Sequence, residues 1–217
     1  MVTVAPDPPP GYKDEHVAVV RRWVPEGARV LELGAGLGVV TAALAARAAT
    51  VLAVEPIPVM YDAAARRVLT GSFSDSNGYV NVTMLRAAAG LPGCPHTTVL
   101  HEMSEPWNSG AHVPHYDRPV REVQVPQVSI DRLIELATAD TLVTDCEGAE
   151  VDLLASVPLP ALGVTTMVVE WHPHIVGSGP VGAAKQQLAE RGWRAAQVVV
   201  GELRPGGFAE LAVYRWP

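Results

Sequence analysis

Along the 217-residue chain, short runs of β-type apolar residues alternate with stretches in which apolar residues recur at helical spacing. Val17, Val20 and Val24 follow the helical period and predict a helix over 13–23, ended by the turn Pro25-Glu26-Gly27. Residues 29–33 read as a strand, 39–47 as a helix and 51–55 as a second strand. Pro56 and Pro58 interrupt regular structure before a helix over 59–69, and 80–85 reads as a third strand. Beyond residue 128 the alternation returns. Ser129 is placed as the N-cap of a helix running to Leu136, 141–144 and 165–170 are strands, and 149–156 and 181–191 are helices, the last stopped by Gly192. Residues 196–200 and 209–214 close the sheet as an antiparallel pair turned through Arg204-Pro205-Gly206-Gly207. Strands alternating with helices predict an α/β fold, a doubly wound, mostly parallel sheet with helices on both faces.

Two stretches fall outside this rhythm. Residues 1–11 are proline-rich and read as a flexible lead, leaving 12–217 as one domain. Residues 90–128 carry Pro92, Pro95, Pro106, Pro114, Pro119 and Pro126. Within them 97–103 and 120–125 look like strands, with a loop around Trp107–Tyr116 between. A βαβ sheet does not require this segment, and long insertions of this kind usually serve function, so it is expected to cover the substrate. His101, Trp107, His112, His115 and Tyr116 are available there to stack on a ring or to pack the loop down.

The first strand runs into Glu32-Leu33-Gly34-Ala35-Gly36-Leu37-Gly38, and the second ends at Glu55-Pro56. A glycine turn after the first strand lets backbone approach a nucleotide cofactor, and an acid at the end of the second accepts hydrogen bonds from a ribose. The glycines run G-x-G-x-G, whereas the dinucleotide fingerprint is G-x-G-x-x-G. Glu32 beside the turn would repel a pyrophosphate. It suits a ligand carrying an amine and a sulfonium, namely S-adenosylmethionine (SAM), and argues against NAD.

Composition narrows the partners. The net charge is −7 and no basic run occurs, which disfavours a nucleic-acid partner and leaves a small molecule as acceptor. No apolar run is long enough to span a membrane, and the lead has no signal-peptide core. Cys94 and Cys146 lack metal-ligand spacing and fit a reduced, cytoplasmic protein. Proline-punctuated strands offer an edge for a homodimer.

A second constellation lies where the fourth and fifth βαβ strands end: Asp145-Cys146-Glu147-Gly148-Ala149-Glu150 and Glu170-Trp171-His172-Pro173-His174. In open α/β sheets this rim binds ligands, so Glu55, Asp145, Glu170 and His172 are expected to share it. Glu147 and Glu150 also read as acids stabilised by a helix N-terminus, and His174 as an exposed loop residue.

These motifs, LELGAGLG, AVEPIP, SIDRLIE, TDCEGAE and VVEWHP, resemble in order and spacing the FkbM family of SAM-dependent methyltransferases over about residues 28–175. The Asp-x-Glu-Gly-Ala-Glu element is the most specific of them. The resemblance implies the class I methyltransferase fold, a Rossmann-like seven-stranded sheet with an antiparallel C-terminal strand. It also implies O-methylation of a hydroxyl on a sugar or secondary metabolite. Carried over residue by residue, it gives the methionyl part of SAM to Glu32, Gly34, Ala35, Gly36 and Gly38, the ribose to Glu55 with Pro56, the adenine side to Ala88, and the methyl group to Asp145. The chain departs from the family pattern at Gly36, where Asn is common, at Thr144, where Lys is common, and at Cys146, where Ile or Val is usual.

An alkyl hydroxyl needs somewhere to put its proton. Asp145, with Glu170 or His172, is the expected catalytic group. A weaker version gathers Mg²⁺ on Asp145, Glu147 and Glu170, while the primary expectation is no metal. N-methylation of an amine, and SAM binding without methyl transfer, remain open as other readings.

Overall fold

The computed structural model describes residues 10–70, 78–114, 117–204 and 207–217. Most of the expected lead, His115, Tyr116, Pro205 and Gly206 lie outside the described residues. The elements are α1 (Asp14–Trp23), β1 (Arg29–Leu33), α2 (Val39–Ala45), β2 (Thr50–Val54), α3 (Pro58–Thr70), β3 (Val82–Leu85), β4 (Ala88–Gly90), β5 (Thr97–Met103), β6 (Pro119–Ser129), α4 (Ile130–Ala137), β7 (Thr141–Thr144), α5 (Glu150–Ser156), β8 (Thr166–Trp171), α6 (Pro173–Val176), α7 (Ser178–Glu190), β9 (Arg194–Arg204) and β10 (Gly207–Arg215).

Seven strands form one sheet in the order β3-β2-β1-β7-β8-β10-β9. β3, β2, β1, β7 and β8 are mutually parallel, and β10 is antiparallel to both β8 and β9. The sheet is the α/β, doubly wound arrangement that the alternation predicts. Strand order reverses beside β1, so the carboxyl ends of β1, β2 and β7 open onto one crevice. β7 and β8 are buried at every position, as strands covered on both faces must be.

Successive strand residues feed two cores. Leu31, Leu33, Leu142, Met167 and Val169 pack with Leu133 and Ile134 of α4 and Leu153 and Leu154 of α5. Val30, Val51, Ala53, Val143 and Val168 face the other way, against Val19 and Val20 of α1 and Leu44 of α2. This burial places α1 under the same edge as the β7 and β8 ends.

The two strands expected within 90–128 form, as β5 and β6, and a third strand joins them in a regular sheet. β5 and β6 pair antiparallel from Thr97↔Pro126 to Met103↔Pro119, and β4 adds parallel to β6, making a three-stranded sheet. β6 is longer than the expected 120–125 because Pro119 and Pro126 sit within pairing that proline as a breaker would have ended. Leu100 and Val125 turn inward onto Leu37, Ile57 and Met60, fixing the hairpin over the crevice. Ser129 does precede α4, but its side chain makes no capping hydrogen bond. The four-residue α6 has no counterpart in the expected elements. Among the described residues, no helix is long and apolar enough to cross a membrane.

Candidate active site at the carboxyl edge of the sheet

The three glycines of the turn answer three separate demands. Gly34 has φ +83°, and a Cβ there would lie 1.9 Å from the Asp145 carbonyl oxygen, so only glycine permits β1 and β7 to end side by side. Gly36 has φ +56° and donates its N–H to Glu55 Oε2 at 2.8 Å. Gly38 packs on α3, where a Cβ would meet Ala64 Cα at 3.0 Å.

A cleft of about 830 Å³, part of it open to solvent, runs along this edge. Its floor is Leu33, Gly34 and Gly36, one end is Glu55 and Pro56, and Ala87, Ala88 and Ala89 form a side wall of small residues. Leu100, Trp107, Gly110 and Gln127 from the inserted sheet and its loop roof it, and Asp145, Cys146 and Glu147 close the far end. Tyr12, just before α1, also reaches it and packs on Trp107 with ring centroids 6.2 Å apart. Of the residues assigned to the cofactor by sequence, Gly34, Gly36, Glu55, Pro56, Ala88 and Asp145 line the cleft, while Glu32, Ala35 and Gly38 do not. Glu32 is buried behind the turn with Oε2 unpaired, and burial pushes its carboxyl up to about 8. Both Glu55 oxygens accept backbone N–H groups, from Gly36 and Ile57, yet burial lifts this carboxyl to about 7.

The far end is a charged cluster. Asp145 and Glu170, expected on one rim, are joined by Lys13, whose Nζ lies 2.6 Å from Asp145 Oδ2 and 2.5 Å from Glu170 Oε2. His16 Nε2 lies 2.5 Å from the same Glu170 oxygen. His172 Nδ1 is 2.9 Å from Glu150 Oε1, and its Nε2 is 3.4 Å from Asp145 Oδ1 and 3.8 Å from both Glu147 Oε2 and Glu170 Oε1. Glu150, fully buried at the start of α5, also accepts the backbone N–H groups of His172 and Gly148. His174 stacks near His172, centroids 5.7 Å apart, and does not line the cleft.

Burial opposes every charge here, and the opposite charges outweigh it at four positions. Asp145 and Glu170 hold the Lys13 ammonium well above its usual range, and Glu150 and Glu147 do the same for the His172 imidazolium. For Asp145, burial and Glu170 push up, but Lys13 and His172 bring it below the ordinary value. Lys13 and His16 hold Glu170 well below it. Glu147 goes the other way. Burial dominates and raises it to about 7. Glu147 adopts a left-handed backbone (φ +49°), which a non-glycine residue adopts only under tertiary constraint, and among the described residues its carboxylate has no hydrogen bond.

Between Asp145 and Glu170, two of the three acids expected to gather Mg²⁺, the position of a cation is taken by the Lys13 ammonium, so that donor set does not fit the ion.

Lys13 and His16 complete a cluster in which the sequence pointed to Asp145, Glu147, Glu150, Glu170 and His172 and missed both residues of the first helix. The available signal was a lysine and a histidine three residues apart on a helix read for its valines alone, with His16 on the same buried face as Val19 and Val20.

The sequence profile of the methyltransferase FkbM domain matches residues 32–194. The chain belongs to the FkbM methyltransferase family. This methyltransferase takes its methyl group from SAM, and the cleft lies where that cofactor is expected, beside the glycine turn and Glu55. No protein of curated function matches it in sequence. Among solved structures it is similar to a Streptococcus agalactiae protein of the NADB-Rossmann superfamily (TM-score 0.54, 14% identity, 94% of this chain and 68% of that one). It is similar also to Aeropyrum pernix fibrillarin with natively bound SAM (0.51, 12%, 92% and 73%). A third is the Bacillus subtilis M1A22 tRNA methyltransferase TrmK (0.50, 15%, 93% and 65%). At these identities the likeness is one of fold.

Proposed function

We propose that this methyltransferase methylates a hydroxyl of a small molecule, a sugar or a secondary metabolite. The observation that carries the reading is the roofed cleft that ends on Glu147, a half-buried carboxylate with no hydrogen bond among the described residues. Gly34 and Gly36 hold the methionyl end of SAM, with Glu32, Ala35 and Gly38 shaping the turn from behind. Glu55 and Pro56 hold the ribose, the Ala88 wall takes the adenine side, and Asp145 stands beside the methyl group. Bound SAM supplies a methyl group already activated on a sulfonium. The protein then has to hold the acceptor oxygen in line and receive its proton.

For that proton, the geometry favours a reassignment within the cluster. Asp145 and Glu170 are ion-paired and His172 is held as an imidazolium, so the three fix charge and position. Glu147, near 7 and facing the cleft, is poised to accept a proton close to neutral pH. A net charge of −7 supports a small acceptor over a tRNA, and two free cysteines support a cytoplasmic setting.

The test is calorimetric titration with SAM and S-adenosylhomocysteine, followed by transfer of labelled methyl to panels of sugars, hydroxylated metabolites, amines and tRNA. Binding of both nucleosides with label on a hydroxyl is the expected result. Label on amines or tRNA alone overturns the acceptor assignment.

A further inference from the structure

Lys13 holds an unusual place for a lysine. It caps α1 with a left-handed backbone, φ 61°, and its side chain reaches across to two different strand ends. Immobilising so long a side chain costs rotamer entropy, and the left-handed backbone adds strain to this. Neutralising one buried acid would need one contact. Lys13 instead sits between two carboxylates, at 2.6 and 2.5 Å, with His16 Nε2 3.5 Å from Nζ. One donor atom each from His16, Asp145 and Glu170 lies within 4.8 Å of the others, the spacing of a shell around a small cation. The cation inside that shell is Nζ itself.

We propose that Lys13 is the resident cation of the acceptor site, standing where a divalent ion would otherwise bind and making methyl transfer independent of metal. Lys13 does not face the cleft, so it is a positioning residue acting through Asp145. It holds Oδ2, leaving Oδ1, which has no hydrogen bond, toward His172 at 3.4 Å. This deepens the hydroxyl-acceptor reading and rests on it. The cation assignment itself does not need that reading.

The experiment is titration of the full chain with Mn²⁺, read from the free-ion signal in electron paramagnetic resonance, with SAM calorimetry and thermal melting as controls. Unmodified protein and Lys13→Arg are expected to remove no Mn²⁺ at Asp145. Lys13→Met keeps the apolar stem but not the charge. It is expected to bind about one equivalent with a Kd of about 1 mM or tighter, the weak end for oxygen-ligand sites. Adding Asp145→Asn should abolish that binding. Mn²⁺ binding by the unmodified protein that is lost in Asp145→Asn overturns the proposal, and needs no folded lysine variant. So does a folded Lys13→Met that gains no Mn²⁺. Failure of the unmodified protein to bind SAM would count against the cofactor arrangement and leave the Mn²⁺ outcome standing.

Discussion

His172 Nδ1 lies 2.9 Å from Glu150 Oε1, and that same oxygen accepts the His172 backbone N–H at 3.2 Å. One buried carboxylate therefore fixes both the position of the residue and the orientation of its ring, leaving Nε2 to Asp145, Glu147 and Glu170. Glu150→Gln should lower the imidazolium pKa toward its ordinary value, visible in a ¹⁵N-detected ring titration. It should also destabilise the fold by about 3–5 kcal/mol, as removal of one partner of a buried pair does. An unchanged ring titration would show that Glu150 does not hold the charge on His172.

Glu147→Gln separates binding from chemistry. SAM affinity should stay within about twofold, while methyl transfer falls by about 10²–10⁴, the usual scale of a lost proton acceptor. A pH–rate profile rising through about 7 in the unmodified enzyme and flat in the variant would assign the ionisation.

Glu55 predicts how SAM binding responds to pH. Its carboxyl is raised to about 7, so it ionises and becomes a better ribose acceptor as pH rises through neutrality. Affinity for SAM should therefore increase from about pH 6 to about pH 8. Glu55→Gln should flatten that dependence and weaken binding about tenfold to hundredfold, the equivalent of ~1.5–3 kcal/mol for hydrogen bonds to a charged group. Isothermal calorimetry at three pH values measures both.

Stability without ligand should move the opposite way. Glu32, Glu55 and Glu147 have folded values of about 8, 7 and 7, above the ordinary carboxyl value. Between the ordinary value and the folded one, the native state binds more protons than the unfolded state, so these groups cost stability as pH rises from about 5 to about 8. Asp145 and Glu170 are lowered, and their contribution is present above the ordinary carboxyl value and lost as pH falls through their folded values. Lys13 and His172 are raised, so theirs is lost only as pH climbs through their folded values. Thermal melting without SAM should accordingly show its maximum on the mildly acidic side of neutrality.

The two cleft glycines differ in what they tolerate. Gly36→Ala meets Tyr12 Oη no closer than 3.5 Å and should cost only left-handed strain, about 1–2 kcal/mol. Gly34→Ala would drive a methyl into the Asp145 carbonyl at 1.9 Å and should prevent a stable fold. Expression followed by melting distinguishes the two.

The doubly wound frame was legible because its strands are largely buried on both faces and therefore read as short apolar runs such as 51–54 and 167–169. Gly34, Glu55 and Asp145 were legible because their place at strand ends follows from those runs. Lys13 and His16 were not, since only tertiary packing brings α1 beneath β7 and β8, and no local period records it. β6 was shortened because proline reads as a breaker, although Pro126 stays paired opposite Thr97. Glu150 was read as a helix-start acid as readily as a member of the site. It is one, and the contact with His172 is decided by the β8 end rather than by its own helix.

The bridges from Lys13 to Asp145 and Glu170 join residues 132 and 157 positions apart. Pairings so remote in sequence form only after much of the intervening chain has found its place. On the ribosome Lys13 is made first, yet it must wait for β8 before both its anions exist. The charged end of the cleft thus becomes complete only in a molecule whose central strands are already aligned, and a partly folded chain holds the same residues without a working centre.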